Sequence, residues 1–291
     1  MKASQHDGEP NTFKQAMQRP EPERSHWYKA ASDEIRSLVD NGTFELVPLP
    51  AGKKAIGCRW VFKVKRNADG SVEHYKGRLV AQGFSQRPGF DFTETFAPTP
   101  KWSALRAVLA IAALEDLELE SIDISSAFLN GTLKEEVYMK QPEGFEERDS
   151  NWVWRLIKSL YGLKQAGNVW HEKLHSVLVS MGFKCCVVDH SIWIYLRDGV
   201  RIIIPVFVDD MTIAAKSKEA IQKVKDDLRQ HFKLRKLGPT SFLLGVEIKR
   251  SQIALSAPCL STSGSTSWTF WDASICRIAT QLQHLCWLDS V

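Results

Sequence analysis

The chain has 291 residues, 44% hydrophobic and 25% charged, enough for one large globular domain or two small ones with a real core. Its formal net charge of +4 is mildly basic, which permits a nucleic-acid partner without demanding one. No run of about 18 apolar residues offers a membrane span, no signal peptide opens the chain, and the six cysteines lack a metal-ligand spacing, so a reducing compartment is the default expectation and Cys185-Cys186 reads as core.

Residues 1–22 are polar and proline-bearing and are expected to be loose. From Glu23, Trp27, Ala31, Ile35 and Leu38 recur at helical spacing, and Asn41-Gly42 stops the helix. Thr43 to Val47 reads as a short strand. Trp60 to Arg66 and Ser71 to Val80 flank an Asp69-Gly70 turn and read as a hairpin. Its arms carry Arg59, Lys63, Lys65, Arg66, Lys76 and Arg78, which suit either a solvated face or a phosphate-facing surface. After Pro100 a helix is expected over about Lys101 to Glu115, with Leu105, Val108, Leu109 and Ala112 on one face, feeding a short strand that ends at Asp123.

Gly162 marks a turn before a helix bearing Trp170, Leu174, Val177, Leu178 and Met181, closed by Gly182. Strands over Ser191–Leu196 and Arg201–Val208 follow, and Ser217 is a plausible N-cap for a helix carrying Ile221, Val224, Leu228 and Phe232. Phe242 to Ile248 reads as a last strand. The run Ile202 to Val208 ends in Asp209-Asp210 and resumes with Met211 to Ala215, which reads as two buried strands with two carboxylates at the tip.

Adjacent aspartates are usually solvated turn residues. Here the apolar flanks make that reading expensive, because like charges repel and resist desolvation. A divalent cation would turn the cost into a binding site. Asp123 ends another apolar strand, and three carboxylates on converging strand ends can hold two Mg²⁺ ions for in-line phosphoryl transfer. The element order predicts a palm-like α+β architecture, a small antiparallel sheet backed by helices with both acidic sites at one edge.

These residues sit inside a longer series of motifs. It includes Asn41-Gly42-Thr43-Phe44-Glu45-Leu46-Val47-Pro48, Gly57-Cys58-Arg59-Trp60-Val61-Phe62-Lys63, Tyr75-Lys76-Gly77-Arg78-Leu79-Val80-Ala81-Gln82-Gly83-Phe84 and Asp123-Ile124-Ser125-Ser126-Ala127-Phe128-Leu129-Asn130-Gly131. It continues through Lys158-Ser159-Leu160-Tyr161-Gly162-Leu163-Lys164-Gln165-Ala166, Phe207-Val208-Asp209-Asp210 and Phe242-Leu243-Leu244-Gly245-Val246-Glu247-Ile248. In that order, over about residues 10 to 250, the chain resembles the reverse transcriptase of copia-type retrotransposons.

The resemblance implies an RNA-directed DNA polymerase with fingers and palm, working on a primed RNA or DNA template with deoxynucleoside triphosphates and two Mg²⁺ or Mn²⁺ ions. It implies that Asp123, Asp209 and Asp210 are the metal-binding, catalytic carboxylates. Phe128 matches the aromatic that closes the nucleotide pocket against a ribose 2′-hydroxyl, with core packing as the plainer role. Tyr161 and Gly162 match a motif near the incoming base, Lys65, Arg66 and Arg78 are candidates for the triphosphate, and Leu244-Gly245 matches a primer-supporting strand. It further implies no membrane partner, and a cytoplasmic (virus-like particle) or nuclear location.

Four departures stand out. Phe207 occupies the usual place of Tyr, Gly167-Asn168-Val169 replaces Pro-Arg and the residue after it, and Lys236 replaces Asp. Beyond about Ser251 the family pattern stops, so the thumb is expected to be missing or degenerate. Residues 251–291 are then expected to be a non-family tail, from a frameshift or a mispredicted exon. With no zinc knuckle, protease, integrase or ribonuclease H pattern, the chain is expected to be a fragment of a larger polyprotein. The competing expectations are a catalytically inactive nucleic-acid-binding remnant and, more weakly, a metal-stabilised structural protein.

Overall fold

The computed structural model describes residues 8–249 apart from Ala68 and Gly245, so the expectation of a non-family tail over 251–291 lies outside the described residues. In chain order come α1 (Phe13–Met17), α2 (Glu23–Asp40), β1 (Phe44–Pro48), β2 (Cys58–Arg66), β3 (Val72–Ala81), α3 (Trp102–Leu114) and β4 (Glu118–Ile124). Then follow β5 (Thr132–Lys140), β6 (Trp152–Lys158), α4 (Ala166–Ser180), β7 (Lys184–Cys185), β8 (Ile192–Arg197), β9 (Val200–Phe207), β10 (Asp210–Ala215), α5 (Lys218–Arg229), β11 (Leu234–Pro239), β12 (Phe242–Leu243) and β13 (Val246–Glu247). The fold is mixed α and β with antiparallel sheets, and among the described residues no helix is long and apolar enough to cross a membrane.

Two compact units divide the chain. The first takes residues up to Ala97 together with Ser126–Leu174. Its α2 buries Trp27, Ala30, Ala31 and Leu38, a stripe at helical spacing, against β3. Trp27 meets Phe62 and Tyr75 edge-on, at ring separations of 5.2 and 4.6 Å. The helix can come this close because β3 carries Gly77 there; a Cβ would lie 3.1 Å from the Ala30 carbonyl oxygen. Trp60 and Phe62 of β2 and Leu79 and Ala81 of β3 join the same core.

Within the N-terminal stretch expected to be loose, Thr12 caps α1 by accepting the Gln15 N–H at 3.1 Å, and Phe13 and Ala16 are buried. A second antiparallel sheet, in the order β1-β6-β5, joins the expected strand β1 to two strands, β5 and β6, that are additions to the expected elements. Its strand β5 loses register between Thr132 and Val137, across Glu135-Glu136, which removes the clean alternation that would mark it in sequence.

The second unit takes Pro98–Ser125 and the described residues from His175 onward. Its sheet has the order β11-β4-β10-β9-β8-β7, antiparallel throughout. Strand pairing puts Leu119, Ile203 and Ala214 on one face, where α3 packs Ala107, Val108 and Ile111 against them. The other face carries Glu120, ion-paired with Lys225 of α5. α5 starts at its Ser217 cap, which accepts the Ala220 N–H at 3.2 Å, and buries Ile221, Val224 and Leu228. The start of α3 is held by buried Asp189, whose Oδ2 accepts the Lys101 N–H at 2.9 Å. The expected last strand over Phe242 to Ile248 is two short strands, β12 and β13, because the chain turns at Leu244 with φ +47°.

Candidate active site

Strand register builds the acidic centre. β9 and β10 pair Phe207 with Asp210, leaving Val208 and Asp209 as a two-residue tip. β10 and β4 pair Asp210 directly with Asp123. Directly opposed residues project to the same face with Cβ atoms about 4.5–5.5 Å apart, so Phe207, Asp210 and Asp123 form one row across three strands. Two backbone bonds secure the end of β4: Ile124 N–H donates to the Asp209 carbonyl and Ser125 N–H to the Lys233 carbonyl, each at 2.9 Å.

The arrangement costs free energy twice. Val208 sits at φ +58°, a left-handed conformation that a β-branched residue rarely adopts and that costs about 1–3 kcal/mol. The Asp210 carboxyl is pushed above its ordinary pKa, first by desolvation and then by the charges of Asp209 and Asp123. An acid held in a costly environment at a strand end is a candidate for function. The donors are all hard oxygens and suit Mg²⁺ or Mn²⁺. Among the described residues, however, no group of three or more His, Cys, Asp or Glu side chains stands as a ready coordination shell. Phe207, in the same row, brings a ring without a hydroxyl.

The other candidates, Leu244-Gly245 apart, lie in the first unit. Arg78 stacks its guanidinium over the Tyr161 ring, 4.0 Å from the centroid, and Tyr161 meets Phe128 edge-on at 4.6 Å. Three residues singled out separately in the sequence thus form one continuous stack. Gly162, at φ +92°, serves backbone approach: a Cβ would stand 2.2 Å from the Ala81 carbonyl oxygen. The Ala81 N–H donates to the Tyr161 carbonyl at 2.7 Å, which ties the stack to β3.

Lys65 and Arg66 part company. Alternation in β2 and β3 puts Arg59, Lys63 and Lys65, together with Lys76 (opposite Lys63) and Arg78 (opposite Val61), on the face away from Trp60 and Phe62. Arg66 has the other parity, beyond a register shift, and donates to the Gly70 carbonyl at 3.0 Å. Lys63 is paired with Glu9 at 2.6 Å. Leu244 lies in the turn between β12 and β13, and Gly245 lies outside the described residues.

A buried pair, Gln86 and Gln165, holds the chain just after Gly162 and is not among the sequence candidates. Buried Gln86 donates to Gln165 Oε1 at 3.0 Å and accepts the Lys164 N–H at 2.8 Å, and Gln165 donates to the Asp91 carbonyl at 2.9 Å. Gln165 lies within the Lys158–Ala166 motif, but nothing in the sequence pairs it with Gln86; only their burial and the bond between them do. Asn168, a departure from the family pattern, donates to the Phe96 carbonyl at 2.8 Å.

Comparison with known proteins covers the span in which these residues lie. The family described as "Reverse transcriptase (RNA-dependent DNA polymerase)" matches residues 41–257. The retrovirus-related Pol polyprotein from transposon TNT 1-94 of Nicotiana tabacum is 42% identical over 248 residues, covering 84% of this chain and 18% of that protein. The corresponding polyprotein from transposon RE1 of Arabidopsis thaliana is 40% identical over 246 residues, covering 84% of this chain and 16% of that protein. A putative transposon Ty5-1 protein of Saccharomyces cerevisiae is 37% identical over 131 residues, 45% of this chain and 42% of that one. The chain spans less than a fifth of the length of the two polyproteins.

Proposed function

We propose that this chain, which belongs to the reverse transcriptase family of retrotransposon Pol polyproteins, carries the polymerising centre of such an enzyme and joins deoxynucleotides to a primer 3′-hydroxyl on an RNA or DNA template. In this reading the six-stranded sheet serves as palm and the β2–β3 hairpin as fingers. The observation that carries it is the register pairing Asp210 with Asp123, with Asp209 bonded through its carbonyl to the next residue of β4. A polar turn needs no such convergence.

Asp123, Asp209 and Asp210 would hold the divalent ions, which when bound supply charge neutralisation at the attacking and leaving oxygens. The chain's own residues do the rest. The strained tip and the two backbone bonds keep the carboxylates from separating under their mutual repulsion. The cations outward on β2 and β3, Lys65 and Arg78 among them, offer charge-assisted bonds to triphosphate oxygens. Phe128, braced edge-on by Tyr161, offers a rigid ring to crowd a ribose 2′-hydroxyl.

Primer extension on a short RNA template with and without Mg²⁺ tests the reading. Metal-dependent extension supports it. Primer–template binding without extension would favour the second reading, an inactive remnant, which the ring at Phe207 and the Gly167-Asn168 departure motivate. Neither binding nor extension would overturn both.

A further inference from the structure

One residue that motif reading passes over completes the acidic row. β11 is the edge strand beside β4, and it pairs Arg235 directly with Asp123. That register cannot slip. On one side Ser125 N–H is bonded to the Lys233 carbonyl at 2.9 Å. On the other, beyond an irregularity between Lys236 and Gly238, the Ser121 hydroxyl lies 2.9 Å from that of Thr240. Phe207, Asp210, Asp123 and Arg235 therefore succeed one another across four neighbouring strands on one face.

Electrostatics gives the fourth position its meaning. Like charges directly opposite across strands destabilise a sheet and opposite charges stabilise it, by comparable amounts. Asp210 and Asp123 form the unfavourable pair, with Asp209 adding a third negative charge at the tip. Arg235 stands across from Asp123 on the side away from Asp210.

We propose that Arg235 is the built-in counter-charge of the carboxylate row, a positioning residue that stabilises Asp123 beside Asp210 before a cation arrives and weakens the affinity with which one then binds. The second half rests on the metal-dependent reading above; the first half does not. An edge strand often carries a cation merely to deter pairing with another chain. Such a residue would stabilise nothing through Asp123 and would leave cation affinity unchanged.

The experiment uses the full chain and needs no polymerase activity. Thermal melts without divalent cation are compared for wild type, Arg235→Gln, Arg235→Lys, Asp123→Asn and the Arg235→Gln/Asp123→Asn double variant. Mn²⁺ affinity is read from the electron paramagnetic resonance of the free ion. Arg235→Gln should lower the cation-free melting temperature, and the loss should disappear in the Asp123→Asn background. The same variant should bind Mn²⁺ about three- to tenfold tighter, as expected when one exposed, screened repulsion is removed. Arg235→Lys, which keeps the charge, should restore both towards wild type. An equal melting shift in both backgrounds overturns the counter-charge role. Tighter Mn²⁺ binding absent from Arg235→Gln, in a protein whose wild type binds Mn²⁺, overturns the tuning role. A wild type that binds no Mn²⁺ overturns tuning and the metal reading together, while the melts still decide the counter-charge.

Discussion

Two hairpins, β9–β10 and β2–β3, look alike as topology and behave as opposites. In β9–β10, every residue from Ile202 to Val206 and from Met211 to Ala215 is buried, and polarity appears at the tip. In β2–β3, burial alternates, with Trp60, Phe62, Leu79 and Ala81 on one face and cations on the other. A strand covered on both faces has nowhere to place a charge except its end, so its carboxylates concentrate at one point. A strand covered on one face spreads its charges along a surface. The first geometry suits a reacting centre and the second suits a polyanion's backbone.

The sharpest way to break this comparison is at the β9–β10 tip. Asp209→Asn removes one carboxylate charge while keeping the tip's size and, on the proposed metal-dependent reading, should lower primer extension on the order of 10³-fold or more, corresponding to several kcal/mol of transition-state stabilisation. Extension at the wild-type rate would make the tip an ordinary turn. The body of the same hairpin should be almost as sensitive, in stability rather than rate. Ile204 is fully buried, and Ile204→Ala should cost about 2–5 kcal/mol in denaturant unfolding. On the other hairpin, exposed Lys65→Ala should change stability by no more than about 0.5 kcal/mol while weakening binding of inorganic triphosphate. Equal destabilisation by the two substitutions would erase the distinction.

A smaller effect is expected at the stack beside β3. Phe128→Val should raise ribonucleotide over deoxyribonucleotide incorporation by about tenfold, the scale at which a pocket discriminates small groups. An unchanged ratio of incorporation efficiencies would leave Phe128 as packing alone.

The smallest effect concerns Glu34 of α2. Burial raises its pKa, against the weaker opposing influence of the Leu79 N–H it accepts and of Arg78 and Lys76. A carboxyl with a raised folded-state pKa favours its protonated form in the fold. Its charge therefore costs stability above that raised pKa, and the cost vanishes below the ordinary value of 4.5. Glu34→Gln should raise the melting temperature modestly at neutral pH, and the gain should shrink to nothing as pH falls through this window. A gain that persists in acid would assign it to packing.

Much of this molecule can be read without coordinates. α2 and α5 announce themselves by apolar spacing and end signals, and the β9–β10 hairpin by a long apolar run broken by two carboxylates. Other features cannot be read that way. α1 is five residues long, too short for a period, and β5 hides its strand character behind a register shift. Lys65 and Arg66 are neighbours that look interchangeable, yet alternation and a bulge send them to different surroundings.

What the sequence determined by itself is local: which segments are helical or extended, where charge is concentrated, and the motif order that makes the chain a reverse transcriptase family member. These follow from periodicity and composition along the chain, where each residue's neighbours are known in advance. What only the tertiary structure decided is which distant residues share a row. Asp123 and Asp210 are 87 positions apart (210 − 123), and Arg235 is 112 beyond Asp123 (235 − 123). Their adjacency is a matter of register between strands, and a slip of one residue would turn each to the opposite face. Register is set by the buried pairs around them, Met211 against Ile122 and Met211 against Val206, and by the backbone bonds at the strand ends. Those are contacts between separate segments, and they acquire their meaning only when the chain is folded.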